Sequence, residues 1–175
     1  HGHHVVIATF NPPNTLTVAR TDDRVNIYTL DGYVCSSRNV DSLRNILIEH
    51  HIQVVINQWG LPLVPCQTLN KAKRGLGIKT IAVYQIDTNA RIKDVEIALD
   101  GCRNPLKRCL LEAKKAAFRW VTSKSMAYVY HHTDLYQVLS PSYVPLFSQF
   151  TGIKHPDHLM VQTNPVSLDA SGYTY

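Results

Sequence analysis

Six short runs built largely from apolar or β-branched residues, each closed by polar or turn residues, punctuate this chain. They are Val5–Phe10, Arg24–Leu30, Ile52–Ile56, Lys79–Tyr84, Leu135–Leu139 and Leu159–Gln162. Most of the stretches between them carry helical spacing. Strands of this length joined by helical crossovers can close their backbone hydrogen bonds only as right-handed βαβ units in a parallel sheet. The sequence therefore predicts a Rossmann-like α/β domain, three layers deep, with helices on both faces of the sheet. At 175 residues it is long enough for one sizeable core. No internal repeat or low-complexity tract interrupts it.

Between the strands, Asp41 is the expected N-cap of a helix with Leu43, Ile46, Leu47 and His50 on one face. Pro65–Lys73 is the next helix, ended by Gly75-Leu76-Gly77. Asp94–Cys102 reads as a short helix or an ordered excursion. Asn104-Pro105 opens a long helix over Leu106–Trp120, with proline in its first turn. A separate helix over Ser123–His132 follows, and Ser142–Phe150 forms the last one, ending at Gly152.

Composition narrows function by exclusion. No run approaches the roughly 18 apolar residues of a membrane span, and no basic-then-apolar leader opens the chain. Cys35, Cys66, Cys102 and Cys109 share no metal-like or redox-like spacing. They fit free thiols in or near a core, in a reducing cytoplasm. There is no Walker loop, glycine-rich dinucleotide loop or Gly-x-Ser-x-Gly elbow. The adjacent pairs His3-His4, His50-His51 and His131-His132 cannot share one helix face, which argues against a metal site. His155 and His158 flank a Pro-Asp turn and read as surface residues.

The net charge is +5, and its placement matters more than its size. Arg103, Lys107, Arg108, Lys114, Lys115, Arg119 and Lys124 fall in a segment whose one acid is Glu112. That face is either simply solvated or a contact for an anionic membrane surface, with Lys107, Arg108, Lys114, Lys115 and Arg119 as the contact residues. Nothing in the chain carries a nucleic-acid recognition pattern.

Ligands of open parallel sheets bind beyond the carboxyl ends of the strands. Asn11, Asn57, Gln58, Trp59, Gln85, Asp87 and Asn89 follow such ends and supply the neutral hydrogen-bonding groups, aromatic face and carboxylate that suit sugar hydroxyls. Loop hydrogen bonding and packing explain the Asn57-Gln58-Trp59 group equally well. Ser140 precedes the last helix and Ser142 opens it. They either cap it or mark a helix N-terminus facing an anion.

In their order along the chain these features resemble the N-terminal, acceptor-side domain of a bacterial GT-B glycosyltransferase. The nearest likeness is to the retaining group that includes sucrose synthases, lipopolysaccharide and capsule glycosyltransferases and mannosyltransferases. Gly2-His3-His4-Val5 resembles the end of that family's first helix before its second strand. Ile52–Gln58 and Ile81–Gln85 resemble its cleft-facing strands, and Thr133-Asp134 through Ser140 its late aspartate, strand and serine. Val161-Gln162-Thr163-Asn164-Pro165 resembles the closing strand.

The resemblance implies that residues 1–163 form that domain without its first strand and most of its first helix. It also implies that 164–175 begin an interdomain linker and that a C-terminal donor-binding domain lies outside these residues. No cofactor is implied here; the donor substrate of the whole enzyme would be a nucleoside-diphosphate sugar. The acceptor would be a glycan or lipid-linked glycan of surface-polysaccharide biosynthesis, handled in the cytoplasm or peripherally on the inner membrane face. Where relatives carry an acceptor-orienting histidine, this chain has Gln85 and Asp87, so that role is not transferred and no catalytic residue is assigned. A non-catalytic α/β binding or membrane-interaction module and a sugar-nucleotide epimerase are the rival expectations.

Overall fold

The computed structural model describes residues 4–11, 25–58, 61–84 and 89–162, without the side chains of Asn11, Val25 and residues 89–91. The elements are β1 (Val5–Asn11), β2 (Val25–Asp31), α1 (Ser37–Glu49), β3 (Val54–Asn57), α2 (Leu63–Ala72), β4 (Lys79–Tyr84), α3 (Asn89–Asp100), α4 (Pro105–His131), β5 (Leu135–Val138), α5 (Tyr143–Thr151) and β6 (Leu159–Val161). Every strand pairing is parallel. The chain is thus a small α/β domain of parallel sheets flanked by helices.

The strands do not form one sheet. β1 pairs with β2, while β3, β4, β5 and β6 form a second sheet in chain order. A sheet whose strands follow one another in order carries all its right-handed crossovers on one face, and the burial agrees. Registers Val55↔Thr80, Ala82↔Tyr136 and Val138↔Val161 put Val55, Thr80, Ala82, Tyr84, Tyr136 and Val138 on one side. Ala82, Tyr84, Tyr136 and Val138 are buried there against α2, α4 and α5, with Met126, Val129, Tyr130, Phe147 and Phe150. The opposite side carries Val54, Ile56, Ile81, Val83, Leu135 and Met160, of which only Val83 is buried. The expected second helical layer is therefore not found among the described residues. A second cluster, Leu30, Leu43, Leu47, Leu69, Ala72 and Ile78, with Phe10 and Val55 against it, joins both sheets to α1 and α2.

Several boundaries move for local reasons. α1 begins a turn before Asp41 because Ser36, not Asp41, is its N-cap and accepts from Asn39 N–H at 3.1 Å. His50 is its C-cap rather than a core residue. His51 takes φ 50°, and Ile52 N–H returns to the Leu47 carbonyl at 3.0 Å, a Schellman closure. That bond claims Ile52 for the helix end, so β3 starts at Val54. α3 runs from Asn89, earlier than Asp94, and α2 starts at Leu63.

The two helices expected over 106–132 are one. Asn104 Oδ1 accepts from the N–H groups of Leu106 and Lys107 at 3.0 and 3.1 Å and starts α4, which then runs without a break to His131. Val121, Thr122 and Ser123 have modest helix propensity. They are carried through by the packing of Ser125, Met126, Val129 and Tyr130, and Ser123 Oγ donates to the Phe150 carbonyl.

Of the cysteines only Cys66 is in the core; Cys35 and Cys102 are half-buried and Cys109 is exposed. Burial pushes the Cys66 thiol up to about 11 against the opposing charge of Lys73, which leaves it unreactive.

Candidate functional site

Parallel pairing brings the carboxyl ends of β3, β4 and β5 to one edge. Asn57, the last residue of β3, stands opposite Ala82, and Tyr84, the last of β4, opposite Val138. Neighbouring strands lie about 4.8 Å apart, and Asn57 is level with Ala82 and Tyr136, two residues short of the ends of β4 and β5, so the ends of β3 and β5 are separated by about 12 Å. Asn57 is half-buried and Gln58 exposed on this edge. Tyr84 is buried, stacks toward Tyr136 at 6.3 Å between centroids and meets Tyr143 edge-on at 5.4 Å. That contact seats the start of α5 beside the end of β4.

Ser140 and Ser142 share a hydroxyl–hydroxyl hydrogen bond of 2.9 Å, and Ser142 N–H donates to Ser140 Oγ at 3.3 Å. Ser142 occupies the N-cap position, but its side chain makes no capping bond. The two serines thus form a local turn. Ser140, read from sequence as a possible N-cap, does not hold that position.

Asn11 closes β1 opposite Asp31, and Asn89 opens α3. Trp59, Gln85 and Asp87 lie outside the described residues, as do the side chains of Asn11 and Asn89. The end of β2 holds a feature the sequence reading missed. Asn39, 1% exposed, accepts from Asp31 N–H at 2.8 Å and donates to the carbonyls of Asp31 and Val34 at 2.9 and 2.8 Å. It fixes the turn through Gly32 that leads from β2 into α1. Beside it Arg38 and Asp31 pair at 3.0 Å on the open surface.

The opposite, amino-terminal edge is structural. Asp134 accepts from Thr80 N–H and Oγ1, both at 2.9 Å, and from Lys79 at 3.1 Å, with Lys73 at 3.7 Å. Burial alone would raise this carboxyl, but the Thr80 bonds and the lysine charges outweigh it and hold it down at about 2. A depressed carboxylate contributes stability that is complete above its unfolded value and is lost as pH falls toward the folded one. The stability gap between wild type and Asp134→Asn is therefore expected to be constant at neutral pH and to narrow as pH falls from about 4 toward about 2. Urea midpoints across that window test it; a gap that widens on acidification would contradict it.

On the same edge Tyr130 donates to Asp157 at 2.7 Å, and His158 places Nδ1 2.6 Å from the same oxygen and Nε2 2.8 Å from the Tyr130 carbonyl. The bonds from Tyr130 and His158 hold the Asp157 carboxyl at about 2. His158 is thus held against Tyr130 rather than free on the surface, while His155 is exposed. His4 and His50, from two different sequence pairs, approach with centroids 5.2 Å apart, and Tyr28 OH lies 2.6 Å from His50 Nε2. No group of three or more His, Cys, Asp or Glu side chains among the described residues is placed to hold a metal.

The basic candidates divide. Lys107, Arg108, Lys114 and Arg119 are exposed on α4. Lys115 instead turns toward α3, where it is 23% exposed and pairs with Glu96 at 2.8 Å. It leaves the set of surface contacts. No helix among the described residues is long and apolar enough to cross a membrane.

The sequence matches no protein-family model, and no curated protein matches it either.

Proposed function

We propose that these residues are the acceptor-side half of a two-domain glycosyltransferase of the GT-B type. Strand order is the observation that carries this reading. A doubly wound sheet has the order 3-2-1-4-5-6. Without its first strand it becomes a pair of strands and a separate run in chain order, and the two sheets here have the orders β1-β2 and β3-β4-β5-β6. Val5 and Ile7 on β1 are 48% and 44% exposed, and Val54 and Ile56 on β3 are 49% and 54% exposed. Those apolar strands would flank the missing one.

In this reading the carboxyl ends of β3, β4 and β5 form the acceptor wall. Asn57 and Gln58 would meet sugar hydroxyls, Trp59 would stack on a sugar face, and Gln85, Asp87 and Asn89 would supply further acceptor contacts. Ser140 and Ser142 border the interdomain cleft. The donor half binds the nucleoside-diphosphate sugar and stabilises the departing diphosphate with positive charge and helix N-termini. The acceptor oxygen would bond to the anomeric carbon as the bond to diphosphate breaks, the acceptor hydroxyl's proton passing to the departing diphosphate, and closure of the halves would exclude water.

The 175-residue chain alone is expected to give no donor-dependent product. In a polypeptide that joins it to its donor-binding half, Gln58→Ala or Trp59→Ala is expected to lower acceptor use about tenfold while donor hydrolysis stays near wild type. Product from the isolated chain, or equal loss of transfer and hydrolysis, would contradict the assignment.

A further inference from the structure

We infer that the N-terminal half of α4 is a docking face for an anionic lipid bilayer, with an apolar stripe entering the headgroup region and cations bordering it. The inference does not depend on the glycosyltransferase reading. Leu106, Leu110, Ala113, Ala117 and Trp120 recur at intervals of four and three, so they share one side of the helix. That side faces outward: Leu106 is 73% exposed, Leu110 65% and Trp120 63%. The packed side is the opposite one, where Leu111, Lys115, Phe118 and Thr122 are half-buried and Lys115 is tied to α3.

A helix that was merely solvated would turn its charges outward and its leucines in. Here the outward centre is apolar. Lys107 and Lys114 border the stripe on one flank and Lys124 closes it one turn beyond Trp120, whereas Arg108 and Arg119 lie on the far side of the helix and are not part of the face. An apolar strip with a tryptophan at one end and lysines beside it is the composition of an interfacial helix: the strip enters the acyl boundary while the long cationic stems reach up to phosphates.

Charge selects the occupant. Two copies packed stripe to stripe would bring their lysines together, with Glu112 as the one acid on this stretch to offset them. An anionic bilayer complements the same charges.

The test uses the full chain carrying Trp59→Phe, so that Trp120 is the remaining tryptophan. Vesicles of phosphatidylcholine alone and vesicles containing phosphatidylglycerol are compared by co-sedimentation and by Trp120 emission. Binding to the anionic vesicles, a blue shift of Trp120 and weakening by salt are expected. Lys107→Gln/Lys114→Gln/Lys124→Gln should lower the partition coefficient about a hundredfold. Leu106→Ser/Leu110→Ser should abolish the blue shift with helicity unchanged. Equal binding to both vesicle types, no binding, or an unshifted Trp120 would overturn the proposal. So would concentration-dependent self-association, or capture by an acidic polypeptide but not by vesicles, if either is lost in Leu106→Ser/Leu110→Ser.

Discussion

Phe147→Ala is expected to destabilise the domain by about 4 kcal/mol. The ring is fully buried on α5, 5.1 Å from the Tyr130 ring and 5.3 Å from Tyr136. It is the point at which α5, α4 and β5 meet, so its removal opens a cavity that three elements line and none can easily fill. Domains of this size have about 5–15 kcal/mol in all, so the variant should sit close to its unfolding transition at room temperature. Phe147→Leu retains most of the volume and should lose less than about 1.5 kcal/mol. Urea unfolding followed by far-ultraviolet circular dichroism measures both. A loss below about 1 kcal/mol for the alanine variant would mean that α5 does not pack as described.

Asn39→Ala is the second large effect, expected at about 3 kcal/mol. The side chain satisfies one backbone N–H and two carbonyls in the turn from β2 to α1. Truncation leaves those groups desolvated without partners, and at a site 1% exposed water cannot readily replace the amide. Asn39→Asp separates volume from hydrogen bonding. It preserves the acceptor toward Asp31 N–H but turns a carboxylate toward the carbonyls of Asp31 and Val34, so it should recover little. An aspartate variant as stable as wild type would show that the amide donor contributes nothing.

Neither residue drew attention in the sequence, for different physical reasons. Phe147 belongs to a helix whose extent was legible from its apolar content and from Gly152, which takes φ 76° at the C-cap. Its neighbours come from strand and helix pairings that no local pattern encodes. Asn39 was hidden by the choice of Asp41 as N-cap; a serine three residues before Asn39 is an equally good cap signal, and it is the one used. The strands were legible because buried parallel strands are short apolar runs between turn residues. Their division into two sheets was not, because strand order is set by crossovers that span tens of residues. The basic segment shows the same limit. Its charges were plain in the sequence, but which side of α4 faces outward was fixed only by the packing of Leu111, Phe118 and Thr122. Of the candidate site, the structure puts Asn57 and Tyr84 at the ends of β3 and β4, leaves Ser140 in the turn after β5, and ties Lys115 to Glu96 on α3.

We propose that β1-β2 and β3-β4-β5-β6 are parts of one sheet whose middle strand would come from outside residues 1–175. Amide hydrogen exchange of peptides covering β1 and β3 tests it most directly, measured in the 175-residue chain and in the longer polypeptide carrying its flanking sequence. Faster exchange of both strands in the short chain, with strong protection of both in the longer one, is the predicted result. Equal exchange of β1 and β3 in the two forms would mean that no strand enters between them, and the glycosyltransferase reading would lose its main support.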